Sequence, residues 1–148
     1  MENKSIALAS DHAGYELRQQ VRELLVSLGY EVVDYGTPSA DSCDYPDYAH
    51  PAGAAVNAGR QPRGIVICGS GNGVQMTVNK YPNVRCALCW NEELASLARQ
   101  HNNANMIALP ARFIPAELAL NIVRTFLSTD FEGGRHERRV EKISHLLQ

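Results

Sequence analysis

The segment that most limits what this chain can fold into is Gly64-Ile65-Val66-Ile67-Cys68-Gly69-Ser70-Gly71-Asn72-Gly73-Val74-Gln75-Met76. Its first part is a short β-branched apolar run, which reads as a strand buried on both faces, as in a parallel sheet. Glycines then stand at three alternate positions. They remove the side chains that would hold a ligand off the backbone and permit positive φ, so successive N–H groups can converge on one anion. Val74 to Lys80 reads as the opening turns of a helix, whose free N–H groups and dipole point at the same place. The expectation is an oxyanion or phosphate cradle with the Cys68 thiol at its lip. A tight strand-to-helix turn that merely needs glycines competes with it. The dinucleotide fingerprint fails, because Val74 stands where a third glycine is needed and no acidic residue closes the next strand near Cys89. No Walker-type lysine follows either.

A chain of 148 residues, 45% hydrophobic and 20% charged, suits a single soluble domain over residues 1–148. A net charge of −2 offers no basic field, so nucleic acid is not an expected partner. Met1-Glu2-Asn3-Lys4-Ser5 leads straight into an apolar strand without a signal-type core, and no apolar run reaches membrane-spanning length; the expected location is the cytosol, with no membrane partner. Cys86 and Cys89 lie three apart in an expected strand and so point to opposite faces. They are read as small core residues, Cys43 as isolated in a polar loop, and no metal site or disulfide is expected.

Ile6–Ala9 reads as a first strand ending at Ser10-Asp11-His12-Ala13-Gly14. Leu17, Val21, Leu24, Leu25 and Leu28 then recur at helical spacing up to Gly29, a C-cap glycine. Glu31–Tyr35 follows as a second strand, so strand, helix, strand gives the grammar of a parallel sheet. A polar loop from Thr37 to Pro46, a helix from Tyr48 to Asn57 closed by Gly59, and the central strand come next. Val84–Leu88 is a fourth strand, Glu92–Gln100 a helix capped by Asn91, and Asn105–Leu109 a fifth strand. Helices from Pro115 to about Ser128 and from about Arg135 to Leu147 end the chain. The expected fold class is α/β, a three-layer α/β/α sandwich on a five-stranded parallel sheet, Rossmann-like, with ligands beyond the carboxyl ends of the strands.

Asp11, His12, Asp44, Tyr45, Cys68 to Gly73 and Arg112 all fall on that rim. His101 and Asn102 end a helix running the other way and belong to the opposite rim. If His101 does chemistry at the cradle, a second subunit must deliver it, which predicts a homodimer with a shared site. Arg135 and Arg139 are four apart on one helical face behind Gly133-Gly134, a two-pronged phosphate clamp, or else part of a solvated charged face.

Taken together, Ser10-Asp11-His12-Ala13-Gly14, Asp44-Tyr45-Pro46, Cys68-Gly69-Ser70-Gly71-Asn72-Gly73, Asn79-Lys80, Arg99-Gln100-His101-Asn102 and Glu132-Gly133-Gly134-Arg135-His136 resemble the type B ribose-5-phosphate isomerases and their allose- and galactose-6-phosphate relatives, over essentially the whole chain. The resemblance implies a metal-free, cofactor-free aldose–ketose isomerase for a sugar phosphate, acting through a cis-enediolate. Cys68 would be the base with Ser70 beside it, and the amides of Gly69, Ser70, Gly71, Asn72 and Gly73 would hold the developing oxyanion. His101 would serve ring opening, Asn102 would contact the sugar from the partner subunit, and Asp11 would bind hydroxyls and share in ring opening. Tyr45 would line the substrate site, and His12, Arg112, Arg135 and Arg139 would bind phosphate. A branch with glutamate after the loop is set aside, because Val74 occupies that position. The assembly implied is a homodimer, with a tetramer as the alternative. The chemistry suits the residues independently: helix N-termini favour the thiolate, the form in which cysteine acts as a base. Six-carbon sugar phosphates, a non-catalytic sugar-phosphate-binding module and a flavodoxin-like redox domain are the competing readings.

Overall fold

The computed structural model describes residues 3–147, so the start of the chain is followed from Asn3 and Met1, Glu2 and Gln148 lie outside it. Five strands, β1 (Ser5–Ser10), β2 (Glu31–Asp34), β3 (Arg63–Cys68), β4 (Cys86–Leu88) and β5 (Met106–Pro110), form one parallel sheet in the order β2-β1-β3-β5-β4. Among the described residues six helices accompany them: α1 (Tyr15–Ser27), α2 (Tyr45–Asn57), α3 (Asn72–Val78), α4 (Glu92–Asn102), α5 (Ala116–Ser128) and α6 (Arg135–Ile143).

The strand order fixes which helix covers which face. The steps β1 to β2 and β4 to β5 go one way along the sheet, whereas β2 to β3 and β3 to β4 go the other. Right-handed crossovers must therefore put α1 and α4 on one face and α2 and α3 on the other. The two apolar clusters agree: Leu17, Val21, Leu25, Ala95 and Ala98 pack with Ile122 and Phe126 of α5 on one face, and Ala49, Ala52, Val56, Val74 and Val78 on the other. β3 feeds both, Ile65 and Ile67 to the first and Val66 and Cys68 to the second, as the unbroken apolar run requires. Cys86 and Cys89 fall into opposite clusters, so they cannot share an ion, as their spacing predicts. Burial raises both thiols, Cys89 to about 12.

Helix ends follow local chemistry. Gly29 (φ +87°) closes α1 with Gly29 N–H donating to Val26 O and Tyr30 N–H to Leu25 O, a Schellman motif. Gly59 (φ +79°) repeats it on α2. Asn91 Oδ1 accepts from Leu94 N–H at the start of α4, and Asn103 ends it at φ +47°.

Several boundaries differ from expectation. α2 starts at Tyr45 rather than Tyr48, because Pro46 suits a first helical turn and loop composition hides this. β4 begins at Cys86, since the Asn79 side chain brackets the Cys86 peptide, accepting its N–H at 2.8 Å and donating to its carbonyl at 2.9 Å. Leu28, placed on the α1 apolar stripe, is 40% exposed as the cap residue. α6 ends at Ile143, and Leu146 and Leu147 lie exposed beyond it.

Candidate active site

In open α/β sheets a crevice forms where neighbouring strands send their connections to opposite faces. Here one such point lies between β1, which leaves toward α1, and β3, which leaves toward α3. Asp11 and the 68–73 loop stand at its carboxyl edge. Asp11 N–H donates to Ile67 O at 3.2 Å, joining the strand ends, and one Asp11 carboxylate oxygen accepts Gly14 N–H at 3.2 Å. A β-carbon at Gly14 would stand 2.7 Å from Ile67 Cγ2, so glycine lets α1 start directly against β3. The buried Arg18 braces this edge: it donates to Ser10 Oγ at 3.1 Å and Thr37 O at 2.6 Å, and pairs with Asp34 at 3.5 Å.

The loop leaves most of its backbone donors free. Among the described residues, the N–H groups of Gly69, Ser70, Gly71 and Gly73 donate to no backbone or side-chain acceptor, whereas Asn72 N–H reaches Ser70 Oγ at 3.3 Å. Buried Cys68 ends β3 immediately beneath them. Gly71 adopts φ +78° and its missing side chain leaves room for Leu88. A β-carbon at Gly73 would stand 2.5 Å from the Tyr45 ring, which shows that Tyr45, the first residue of α2, lies over the loop. Four N–H donors without an acceptor, in a loop that follows Cys68 and borders the strand end of Asp11, are the kind of group that an oxygen gaining negative charge requires.

Positive charge borders the same crevice. Arg112, after β5, is tied by its N–H to Gly69 O at 3.0 Å, and its side chain passes 3.2 Å from a β-carbon built on Gly69. His12 Nδ1 accepts the Cys43 N–H at 3.2 Å, so the neutral ring carries its proton on Nε2 as a donor. Cys43 is thus not isolated in its loop; no sequence pattern links residues 31 apart.

The remaining expected residues form a second cluster, away from the cradle. β3 and β5 run parallel with Gly64 beside Met106 and Cys68 beside Pro110. His101 and Asn102 precede the start of β5, so one strand length, roughly 15 Å at ~3.3 Å per residue, separates them from Cys68. The His101 ring stacks on His136 of α6, centroids 4.2 Å apart, and Glu132 reaches both, at 3.9 Å and 3.5 Å. Burial, then His101 and Arg135, holds His136 below the usual imidazole value. Exposed Arg135 and Arg139 therefore travel with His101 rather than with Cys68, and neither forms an ion pair among the described residues. The contacts of Glu132 and His136 with His101 are the part sequence reading did not assign. Their signal is the motif's His136, one residue after Arg135 and so turned about 100° toward α4.

The description of the matching family model is Ribose/Galactose Isomerase, and the match spans residues 6–143. The chain belongs to the ribose/galactose isomerase family. Both clusters lie inside the matched span. Within the family, the chain is 41% identical over 145 residues to ribose-5-phosphate isomerase B of Escherichia coli K12, covering 98% of this chain and 97% of that one. Its fold superposes on a ribose 5-phosphate isomerase from Thermotoga maritima with TM-score 0.94 and 49% identity, over 98% and 100% of the two chains. Ribose-5-phosphate isomerase B from Mycoplasma genitalium, solved with bound ribulose-5-phosphate, matches at TM-score 0.92 and 43% identity over 95% and 94%.

Proposed function

We propose that this isomerase interconverts ribose 5-phosphate and ribulose 5-phosphate at a site shared by two copies of the chain. The observation that carries the reading is the set of free N–H groups at Gly69, Ser70, Gly71 and Gly73 in the loop that follows Cys68. An enediolate pathway needs a base beside C2 and donors at the carbonyl oxygen, and little else. Cys68 Sγ takes the C2 proton, the electron pair closes the C1–C2 double bond, and the amides hold the charge that appears on O1. A proton passes between the two oxygens, and Sγ–H returns its proton to C1. Asp11 binds sugar hydroxyls beside Tyr45 and Ser70. His12 and Arg112 hold the phosphate from one side.

His101 gives a proton to the ring oxygen of the closed sugar as Asp11 relieves the anomeric hydroxyl of its own, and Asn102 holds the sugar. Both come from the partner copy, together with Arg135 and Arg139 for the phosphate. The strand length between His101 and Cys68 within one chain supports this arrangement. So do Met76, Trp90 and Phe113, which are 65%, 54% and 74% exposed and follow the carboxyl ends of β3, β4 and β5. Apolar surface of that kind beside a half-built site suits a second copy of the chain. Four free cysteines fit a reducing compartment, the cytosol; among the described residues no helix is long and apolar enough to cross a membrane.

The test is turnover of ribose 5-phosphate in D₂O, followed by NMR for ribulose 5-phosphate and for deuterium entering C1 of the ketose and, on the return reaction, C2 of the aldose, with allose and galactose 6-phosphates in parallel. Wild type is expected to convert the pentose with exchange. Cys68→Ala is expected to lose about 10³-fold in kcat, in the range of general-base removal, while a phosphate-bearing inhibitor still binds. Full turnover by Cys68→Ala would remove Cys68 as the base, and conversion of a six-carbon phosphate alone would reassign the substrate.

A further inference from the structure

We propose that His101 Nε2, His136 Nε2 and Glu132 Oε1 bind a divalent transition-metal ion of the zinc class, and that this ion inhibits the isomerase. The inhibitory half rests on the role of His101 in ring opening given above; the binding half does not.

The three ligand atoms all lie within 4.8 Å of one another. Glu132 Oε1 is 3.9 Å from His101 Nε2 and 3.5 Å from His136 Nε2. Ligands around a tetrahedral ion, bound at about 2.0–2.2 Å, stand about 3.4 Å apart, so the set closes when the two rings rotate out of their stack and turn their in-plane lone pairs toward one point. The rings are stacked within 10° of parallel, and both bring Nε2 to the same carboxylate. Backbone bonds tie the parts together: Glu132 N–H donates to Gln100 O at 3.1 Å, beside His101, and His136 N–H to Gly133 O at 3.1 Å.

Two imidazoles and one carboxylate with a fourth position open to water make a donor set for zinc, cobalt or nickel, and a poor one for magnesium or calcium, which take all-oxygen shells. In the single chain the His101 and Glu132 side chains are 41% and 50% exposed, and in the shared site an ion reaches them by the opening that admits the sugar. Arg135 and Arg139 add positive charge on the same helix and limit affinity. The site therefore loads when the metal is in excess and is no resident cofactor site. A metal on His101 Nε2 occupies the lone pair that takes and returns the ring-opening proton, so catalysis stops while the ion stays.

The probe is Co²⁺, added to the metal-free wild-type protein and read by its visible d–d absorption. Uptake of one ion per chain is expected, reversed by EDTA, with no thiolate-to-cobalt band. Glu132→Gln, at an exposed position that tolerates the change, is expected to weaken binding at least tenfold, and His136→Ala likewise. Absence of uptake, uptake unchanged in both variants, or a thiolate band from the cysteines would overturn the site. In the second arm Zn²⁺ is titrated into the isomerase assay. Reversible inhibition that shifts at least tenfold in Glu132→Gln is expected. Co²⁺ uptake without any Zn²⁺ inhibition would leave the site standing and overturn the inhibition, and with it the role of His101. Normal isomerisation by a protein that takes up no Co²⁺ would do the reverse.

Discussion

Individual glycines in this chain do different work. Gly29 (φ +87°) has nothing within 4 Å of where a β-carbon would sit, so Gly29→Ala carries only the left-handed backbone cost, roughly 1–2 kcal/mol. Gly71 (φ +78°) carries the same cost and in addition meets Leu88 and the Pro110 nitrogen, which stands 3.4 Å away. Gly71→Ala is expected to lower the urea midpoint more than Gly29→Ala and to depress isomerase turnover, because the cradle amides move. Equal midpoints with unchanged turnover would show that the loop is not held by this packing. The pattern Cys68-Gly69-Ser70-Gly71-Asn72-Gly73 was legible in the sequence because its chemistry is local: one strand end, three alternate glycines and a helix start within a few residues.

At the scale of elements, the Arg18–Asp34 pair joins α1 to the end of β2 and through Ser10 and Thr37 to the end of β1. Burial lowers the Arg18 pKa, and Asp34 acts against that. Asp34→Ala leaves a buried guanidinium without its counter-charge, at a cost of about 3 kcal/mol, whereas a paired Arg18→Met, Asp34→Leu replacement recovers part of it, because the Thr37 carbonyl and the Gly36 N–H then lose their partners. Urea unfolding of the wild type and the two variants checks the order. The pair was not anticipated, since nothing in spacing joins residues on a helix and the next strand.

The thiols that begin and follow β4 give a pH signature. The ordinary thiol value is 9.0, and burial puts Cys89 at about 12 in the folded protein. Between these values the unfolded chain has lost a proton that the folded chain keeps, so stability is intact below about pH 9 and falls as pH rises toward 12. Cys89→Ala should flatten this alkaline fall in thermal melting profiles, whatever its effect on the melting temperature at neutral pH.

For the whole molecule, the division of expected site residues into two distant groups is the consequential result. Cys68, Asp11, Tyr45, His12 and Arg112 gather at one end of the sheet; His101, Asn102, Arg135 and Arg139 gather at the other. A dimer that pairs unlike ends holds two complete sites, so a Cys68→Ala chain and a His101→Ala chain, each inactive alone, should regain about a quarter of wild-type turnover when mixed equally, because half the dimers are hybrids with one intact site of two. Verified hybrids with no activity would rule out sharing across subunits.

The sequence by itself determined the α/β class, the number of strands, the burial of the central strand on both faces and the glycine turn that follows it, because hydrophobic period, glycine placement and capping act over a few residues. It also placed His101 on the opposite rim, since helix direction follows from strand–helix alternation. Tertiary structure alone decided the order β2-β1-β3-β5-β4, the stacking of His101 on His136 with Glu132 beside both, the Cys43 amide on His12, and the passage of Arg135 and Arg139 to the His101 end. These depend on contacts between segments that share no local period, and are set only when two helical layers close on the sheet.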